Sequence, residues 1–398
     1  MLCGADPGVG IYGWTVGGGH GSLTRQYGLG VDALISIDLV LANLTVVTAS
    51  ESQNEDLFRA LRGSGGGAFG IAVSLTVRLY DDPGKISTFT GLYALNINTA
   101  TMFADWMINA PNEAKGYYLP QNYGDKETFV LISATCIGNS SFCSTVFSSL
   151  ATDCYATPPI TCKPELEKYN SFYDFFKDQQ SDKSGVAYLS STSLNASNIK
   201  LALQEVTSYI MKHLGTGCSG NAVLGGFSAT LDLDQIKTSV AREMRTSLMA
   251  LTCFSSLDVG MKFSDKMYQV SVMDSLAERI FKKYSKWVYW NEPQHNFVNE
   301  DWRERYWGGM DNYNKLLSVK RAYDPLNKMS CYHCVGYERV ENEDPAICPA
   351  VSCTCSNSPQ GKCNQALGSN NFNLKIIFTC FMGLFFFSNH NIYFLNVF

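Results

Sequence analysis

At 398 residues the chain is longer than one typical hydrophobic core supports, so two folding units are expected. Hydrophobic residues make up 45% and charged residues 17%, with 21 Tyr and 23 Phe, which excludes a disordered chain. A formal charge of -5, from 31 Lys plus Arg against 36 Asp plus Glu, leaves no basic excess for phosphates and argues against nucleic acid as a partner.

Glycine crowds Gly8 to Gly13, Gly17 to Gly21 and Gly63 to Gly70, with apolar runs at 33–41 and 44–49 between them, so the opening reads as short strands joined by tight turns. Such density marks either turns or the approach of a ligand's diphosphate. The spacing predicts a helix over 54–62, with Leu57, Ala60 and Leu61 on one face and Gly63-Ser64-Gly65 as its stop, then an alternating strand over 71–79. Asp81-Asp82-Pro83-Gly84 is a turn signal and a plausible boundary. Between 85 and 290, strand-like stretches (128–136, 221–231) alternate with helical ones (100–109, 141–151, 166–178, 275–286), which predicts an α+β class with a sheet covered by helices. The run 301–322 reads as a helix that stops before Asp324-Pro325. Beyond Cys331 the pattern fades into a cysteine-rich tail. That tail ends in an apolar block, 376–387, shorter than the roughly 20 residues of a membrane-spanning helix. Three readings stand side by side for it: a lipid-anchor signal after Gly368-Ser369, a short membrane-surface segment, or a wrongly joined gene product.

Fourteen cysteines, an even number, fit disulfides and an oxidising compartment. The sequons at Asn43, Asn139 and Asn195 fit a secreted glycoprotein, while no signal peptide is visible at the start, so either the protein stays inside or its beginning is missing. Cys331-Tyr332-His333-Cys334 has C-x-x-C spacing, but the cysteines after it are too irregular for a second compact pair, which favours disulfides over zinc. His213 and His295 lack a partner at ligand spacing, so no metal site is expected.

Gly8-Val9-Gly10-Ile11-Tyr12-Gly13 satisfies G-x-G-x-x-G, the dinucleotide fingerprint, which requires a strand before it and a helix after it. Only seven residues precede it, and the glycines of 14–21 argue against a helix. The alternative is a cofactor lying along extended backbone.

Asp6-Pro7-Gly8-Val9-Gly10, Gly17-Gly18-Gly19-His20-Gly21, Tyr27-Gly28-Leu29-Gly30-Val31-Asp32 and the run Asp56 to Ile71 resemble the FAD-binding half of berberine bridge enzyme-like oxidases, flavoproteins of the vanillyl-alcohol-oxidase (PCMH) type. A second, distant match, in Asn299-Glu300, Tyr306-Trp307-Gly308, Asn312-Tyr313, Leu316, Lys320 and Tyr323-Asp324-Pro325, is similar to the segment by which that family returns to its flavin domain. The resemblance implies two domains, an α+β FAD domain split in sequence and an antiparallel sheet with helices roofing the flavin. Residues 1–83 would then be the second part of the FAD domain, 84–290 the substrate domain, 291–337 the returning segment, 338–370 a cysteine-rich tail and 371–398 a hydrophobic tail. It also implies that the first FAD subdomain would precede Met1.

By the same resemblance Asp6, Val9, Gly10, Gly13, Gly17, Gly18, Gly19, His20, Gly70, Ile71 and Val73 line FAD, most of them through backbone groups. Asp6 stands where doubly linked members carry a flavin-bound Cys, so that thioether is excluded and Cys3 is offset from it. His20 is not the covalent histidine of those members but a turn residue capped by neighbouring backbone. The family's Tyr-x-Asn-Tyr pattern, laid on Phe297-Val298-Asn299-Glu300, makes Glu300 the general base, with the first turn of a following helix as its other reading. The expected activity is oxidation of an alcohol, sugar or related small molecule by hydride transfer to flavin, with O2 or another acceptor; the alternative is a flavin-free, secreted or anchored binding protein, with membrane association through the C-terminal tail.

Overall fold

The computed structural model describes residues 1–337 apart from 125–127, 156–159, 161, 180–182, 186, 233–234, 258–259 and 295–300, together with the backbone of 382–388 and 391–397. In the first of three sheets β1 (Leu34–Val40) lies between β2 (Val46–Ser50) and β3 (Ile71–Val77), antiparallel to both. Ile37 and Leu39 point into the core, while Asp38 between them faces out and accepts hydrogen bonds from Thr48 (2.6 Å) and Ser74 (2.5 Å). The sheet shares a core with the helix Glu55–Leu61 and, from far downstream, with the helices Trp302–Trp307 and Met310–Tyr323. Leu57, Leu61, Phe69, Trp307, Tyr313 and Leu316 fill it.

A seven-stranded antiparallel sheet holds β4 (Ile86–Tyr93), β5 (Ala114–Asn122), β6 (Thr128–Ile137), β7 (Glu165–Tyr169), β9 (Ala187–Leu194), β10 (Thr216–Ala222) and β11 (Met249–Ser256), in the order β7-β4-β6-β5-β10-β11-β9. The short β8 (Lys183–Gly185) pairs instead with β13 (Asn391–Val397), which forms a hairpin with β12 (Met382–Ser388). Helices Ile97–Asn109, Ile199–Ile210 and Phe263–Leu276 cover one face of the large sheet with an apolar core that includes Phe103, Tyr118, Ile132, Leu203, Leu251 and Leu276. Asn96 caps the first of these helices by accepting from the Thr99 amide at 2.9 Å.

The opposite face is polar and yet buried. Lys115, Gln121, Ser191, Ser193, Ser219 and Thr252 are all nearly inaccessible there. Registry aligns them in rows: Tyr117 sits opposite Asn221 and Asn221 opposite Ala250, and next to that row Ser219 faces Thr252 and Thr252 faces Ser191. Period-2 alternation therefore gives β9, β10 and β11 a second side that carries Ser191, Ser193, Ser219, Asn221 and Thr252, and the groups that cover it must supply hydrogen-bond partners as well as apolar contacts.

Several local expectations change. A helix, Ile11–Val16, begins inside the G-x-G-x-x-G stretch, where glycine content predicted none. Burial of Trp14, Thr15 and Val16 outweighs the roughly 1 kcal/mol that Gly13 costs in a helix. Among the described residues no strand precedes it. The strand expected over 221–231 ends at Ala222, because Gly225 (φ 77°) and Gly226 (φ 61°) turn the chain into the short helix Phe227–Thr230. The helix expected over 166–178 is half strand, since β7 pairs with β4 before Ser171 caps the helix Phe172–Lys177. The 301–322 helix is two helices, broken at Gly308 (φ 70°) and Gly309 (φ 136°). Among the described residues four disulfides close: Cys136–Cys143, Cys154–Cys162, Cys218–Cys253 and Cys331–Cys334, in line with the expected oxidised cysteines.

Candidate active site

The polar face of the large sheet is covered by two pieces of chain, the glycine-rich opening and the stretch 287–294. The first is tied down at Arg25, whose guanidinium donates to the carbonyls of Leu224 (3.1 Å) and Ala110 (3.0 Å). The second is tied to the first. Asn291 Nδ2 donates to the Gly13 carbonyl (3.0 Å) and to the Tyr289 hydroxyl (2.9 Å), and the Gly19 amide donates to that same hydroxyl at 3.3 Å. This contact requires glycine at 17, where a Cβ would stand 2.5 Å from Asn291 Nδ2, and at 18, where it would stand 2.5 Å from Met244 Sδ. The first and third glycine clusters also meet, as the Gly63 and Gly65 amides both donate to the Val16 carbonyl at 3.0 Å.

Among the described residues one carboxylate stands in the resulting seam. Glu292 is 5% exposed and sits among donors from three separate parts of the chain. Its Oε1 lies 2.9 Å from His20 Nε2 and accepts from Asn221 Nδ2 at 2.9 Å, while Oε2 accepts from Thr252 Oγ1 at 3.1 Å. Ser191 continues the network, donating to Thr252 Oγ1 (3.2 Å) and to the Pro293 carbonyl (3.3 Å). The His20 and Tyr289 rings are 4.7 Å apart. Tyr117 faces the same space, and burial pushes its hydroxyl up to about 12; a hydrogen bond with Ser22 works against that shift and the Glu292 charge adds to it. A buried carboxylate with three hydrogen-bond partners is held in one orientation, which a group that must take a proton from a bound molecule requires.

The expected cofactor residues divide into groups. Gly17, Gly18 and Gly19 are buried in the seam, and His20 is there as the ring partner of Glu292, not as a turn residue capped by backbone. Asp6 is buried and accepts from the Gly8 amide at 2.6 Å, holding the turn that leads past Val9. Gly10 and Gly13 face open space, with no atom within 4 Å of where a Cβ would stand. Gly70 packs on β1, a Cβ there meeting the Val40 carbonyl oxygen at 2.8 Å, and it opens β3, where Ile71 and Val73 are exposed (42% and 60%). Bare backbone at Gly10 and Gly13 leaves room for a cofactor to approach the main chain closely.

Glu300 lies outside the described residues. The carboxylate that sequence reading passed over is Glu292, and the signal was present: Tyr289-Trp290-Asn291 meets the Tyr-x-Asn spacing literally and Glu292 follows it, whereas 297 is Phe.

Residues 288–328 match the family profile described as "Berberine and berberine like". A FAD-linked oxidoreductase of Gibberella fujikuroi, apf9, is 26% identical over 380 residues, covering 85% of this chain and 62% of the relative. Another, phmC of Phaeosphaeria nodorum, is 43% identical over 113 residues, 28% of this chain and 25% of its own length. The VAO-type flavoprotein MtVAO713 of Myceliophthora thermophila has a similar fold, with TM-score 0.69 and 21% identity over 84% of this chain and 63% of its own. The glucooligosaccharide oxidase of Acremonium strictum does too, with TM-score 0.67 and 21% identity over 84% and 73%. The chain thus spans about 60% of the length of the curated relatives that it matches along most of its own. The mixed α+β architecture is that of the vanillyl-alcohol-oxidase type, and the relatives indicate FAD as the cofactor. The returning segment thus carries the berberine and berberine-like profile, and the chain is similar along most of its length to FAD-linked oxidoreductases.

Proposed function

We propose that the protein oxidises an alcohol, sugar or related small molecule, with Glu292 taking the hydroxyl or amine proton as hydride leaves the adjacent carbon. The observation that carries this reading is the Glu292 carboxylate, buried in the seam and held by His20, Asn221 and Thr252. FAD, when bound, supplies the hydride acceptor, and Asp6, Val9, Gly10, Gly13, Gly17, Gly18, Gly19, His20, Gly70, Ile71 and Val73 are the residues proposed to line it. Each chain element then has a task. Asn221 and Thr252 keep both carboxylate oxygens aimed and hydrogen-bonded, and the His20 ring, 2.9 Å from Oε1, holds the same oxygen from the side of the glycine-rich opening. The hydroxyls of Ser191, Ser193 and Ser219 on the same sheet face are engaged within the protein, with Thr252 and the Pro293 carbonyl, with Ser285 and with Asn221, and they brace the wall behind the carboxylate. Two of the solved neighbours are named as a chitooligosaccharide oxidase and a glucooligosaccharide oxidase, which supports a sugar-like substrate, with O2 as the proposed acceptor.

The decisive variant is Glu292→Gln in the full-length protein. Flavin content is expected to stay unchanged while the rate of flavin reduction by substrate falls roughly 100-fold or more, the usual size of a general-base contribution. An undiminished reduction rate, followed by stopped-flow absorbance, removes Glu292 from the mechanism.

We also propose secretion as a glycoprotein. Support comes from the disulfides and from the exposed Asn43, Asn139 and Asn195. Among the described residues no helix is long and apolar enough to cross a membrane.

A further inference from the structure

The Cys331-Tyr332-His333-Cys334 stretch takes no part in the seam. Its disulfide closes over a sequence separation of 3, whereas the other described bridges span 7, 8 and 35 residues. The stabilisation that a bridge confers through the unfolded chain grows with the logarithm of loop length, so this bridge contributes the least of the four. Its two cysteines differ in exposure: Cys334 is fully buried in the core with Trp307 and Leu316, and Cys331 is partly exposed at the edge of that core. Within the loop His333 has φ 55°, a left-handed conformation that is costly for a residue with a side chain. The Gly66 carbonyl oxygen lies 3.8 Å from Cys331 Sγ and 3.6 Å from Cys334 Sγ. A disulfide has no proton to give that oxygen, but two thiols have one each. The reduced pair therefore finds an acceptor already in place.

We propose that Cys331–Cys334 is a redox-active dithiol–disulfide couple that exchanges with a low-molecular-weight thiol. The donor thiolate attacks Sγ of the partly exposed Cys331; the bridge breaks, and its electron pair leaves on Cys334 Sγ, which takes up a proton. A second donor thiolate attacks the donor sulfur of the mixed disulfide and leaves with it as the donor disulfide, while Cys331 Sγ is released and protonated. In sum two donor thiols lose two electrons and two protons, and the bridge gains them as two thiols. Gly66 belongs to the Gly63 to Gly70 run that meets the first glycine cluster, so the state of the couple is felt at that loop. This inference does not depend on the oxidase reading.

The test equilibrates the full-length protein in glutathione buffers of stepped ratio, blocks free thiols by alkylation and reads each cysteine by peptide mass spectrometry. Cys331–Cys334 is expected to open at a reduced-to-oxidised ratio roughly 100-fold below that needed for the buried bridges Cys136–Cys143 and Cys218–Cys253. In Cys334→Ser the remaining Cys331 is expected to form the glutathione mixed disulfide about tenfold faster than Cys334 does in Cys331→Ser. Cys154–Cys162, with both cysteines partly exposed, controls for access alone. Opening of Cys331–Cys334 only together with that control or with the buried bridges overturns the proposal, as do equal rates in the two serine variants.

Discussion

Lys115 on β5 is 2% exposed, and its ammonium nitrogen has no hydrogen-bond partner among the described residues. Burial, helped by the nearby Arg25 charge, lowers its pKa from 10.5 to about 7. The sign of the consequence follows: between pH 7 and 10.5 the unfolded chain binds a proton that the folded one does not, so stability rises with pH across that window, by up to roughly 1.4 kcal/mol per pH unit. Lys115→Met is expected to raise stability most at or below pH 7 and to lose that advantage as pH approaches 10.5. Urea midpoints at pH 6, 8 and 10 check this, and a difference independent of pH would contradict it. Nothing in the sequence around Ala114-Lys115-Gly116 announces this residue, because a lysine between small residues reads as a solvated position. Glu292 is a different case. Two Asn-Glu pairs, Asn291-Glu292 and Asn299-Glu300, stand in one stretch, and composition does not choose between them. Glu292 contacts His20, Asn221 and Thr252, which lie far away in the chain, and no local pattern announces that.

The returning segment works as an element because its end is anchored in the first core. Lys320, 1% exposed on the helix Met310–Tyr323, donates to Asp324 at 2.6 Å and to the carbonyls of Ala68 and Met329 at 2.5 Å. Burial alone would raise the Asp324 carboxyl, but hydrogen bonds from Lys320 and from the Met329 and Lys328 amides hold it below the usual carboxylate range. Asp324→Asn leaves the lysine charge buried without its counter-ion, and a loss of about 3–5 kcal/mol is expected. Chemical denaturation checks it, and the Ala68 loop should lose amide-exchange protection in the same variant. The Tyr323-Asp324-Pro325 motif was legible in the sequence as the place where a helix stops; that its carboxylate clamps a lysine under the glycine loop was not. Helix ends were misread wherever a glycine pair or a cap decided them, as at Gly308-Gly309 and Ser171. Hydrophobic spacing reports a face and says little about where the backbone turns.

At the scale of the molecule, the large sheet is amphipathic in an unusual sense: its helix side is apolar and its other side carries hydroxyls, an amide and a lysine that are buried all the same. Burying polar side chains without loss requires partners, and the glycine-rich opening and the 287–294 stretch supply several. The three sequons lie away from this seam on exposed turns, where the Asn43 and Asn195 side chains accept from the amides of Thr45 and Ser197 and Asn139 caps a helix. Expression in a secreting eukaryotic host is expected to put glycans on Asn43, Asn139 and Asn195, read as Asp at each position after enzymatic deglycosylation. Unmodified asparagines at all three would oppose secretion as proposed.

The amino-acid order alone determined the α+β class, the glycine clusters and the returning motif, because turns, alternation and short motifs are written in neighbouring residues. It also pointed to paired cysteines, which needs only a count and a spacing. That Glu292 enters the seam, that His20 meets it, and that Lys115 is buried without a hydrogen-bond partner among the described residues were decided by tertiary structure. Each of these depends on groups hundreds of residues apart, or on different strands, being brought within a few ångströms, and burial and hydrogen bonding act on side chains only once that packing exists.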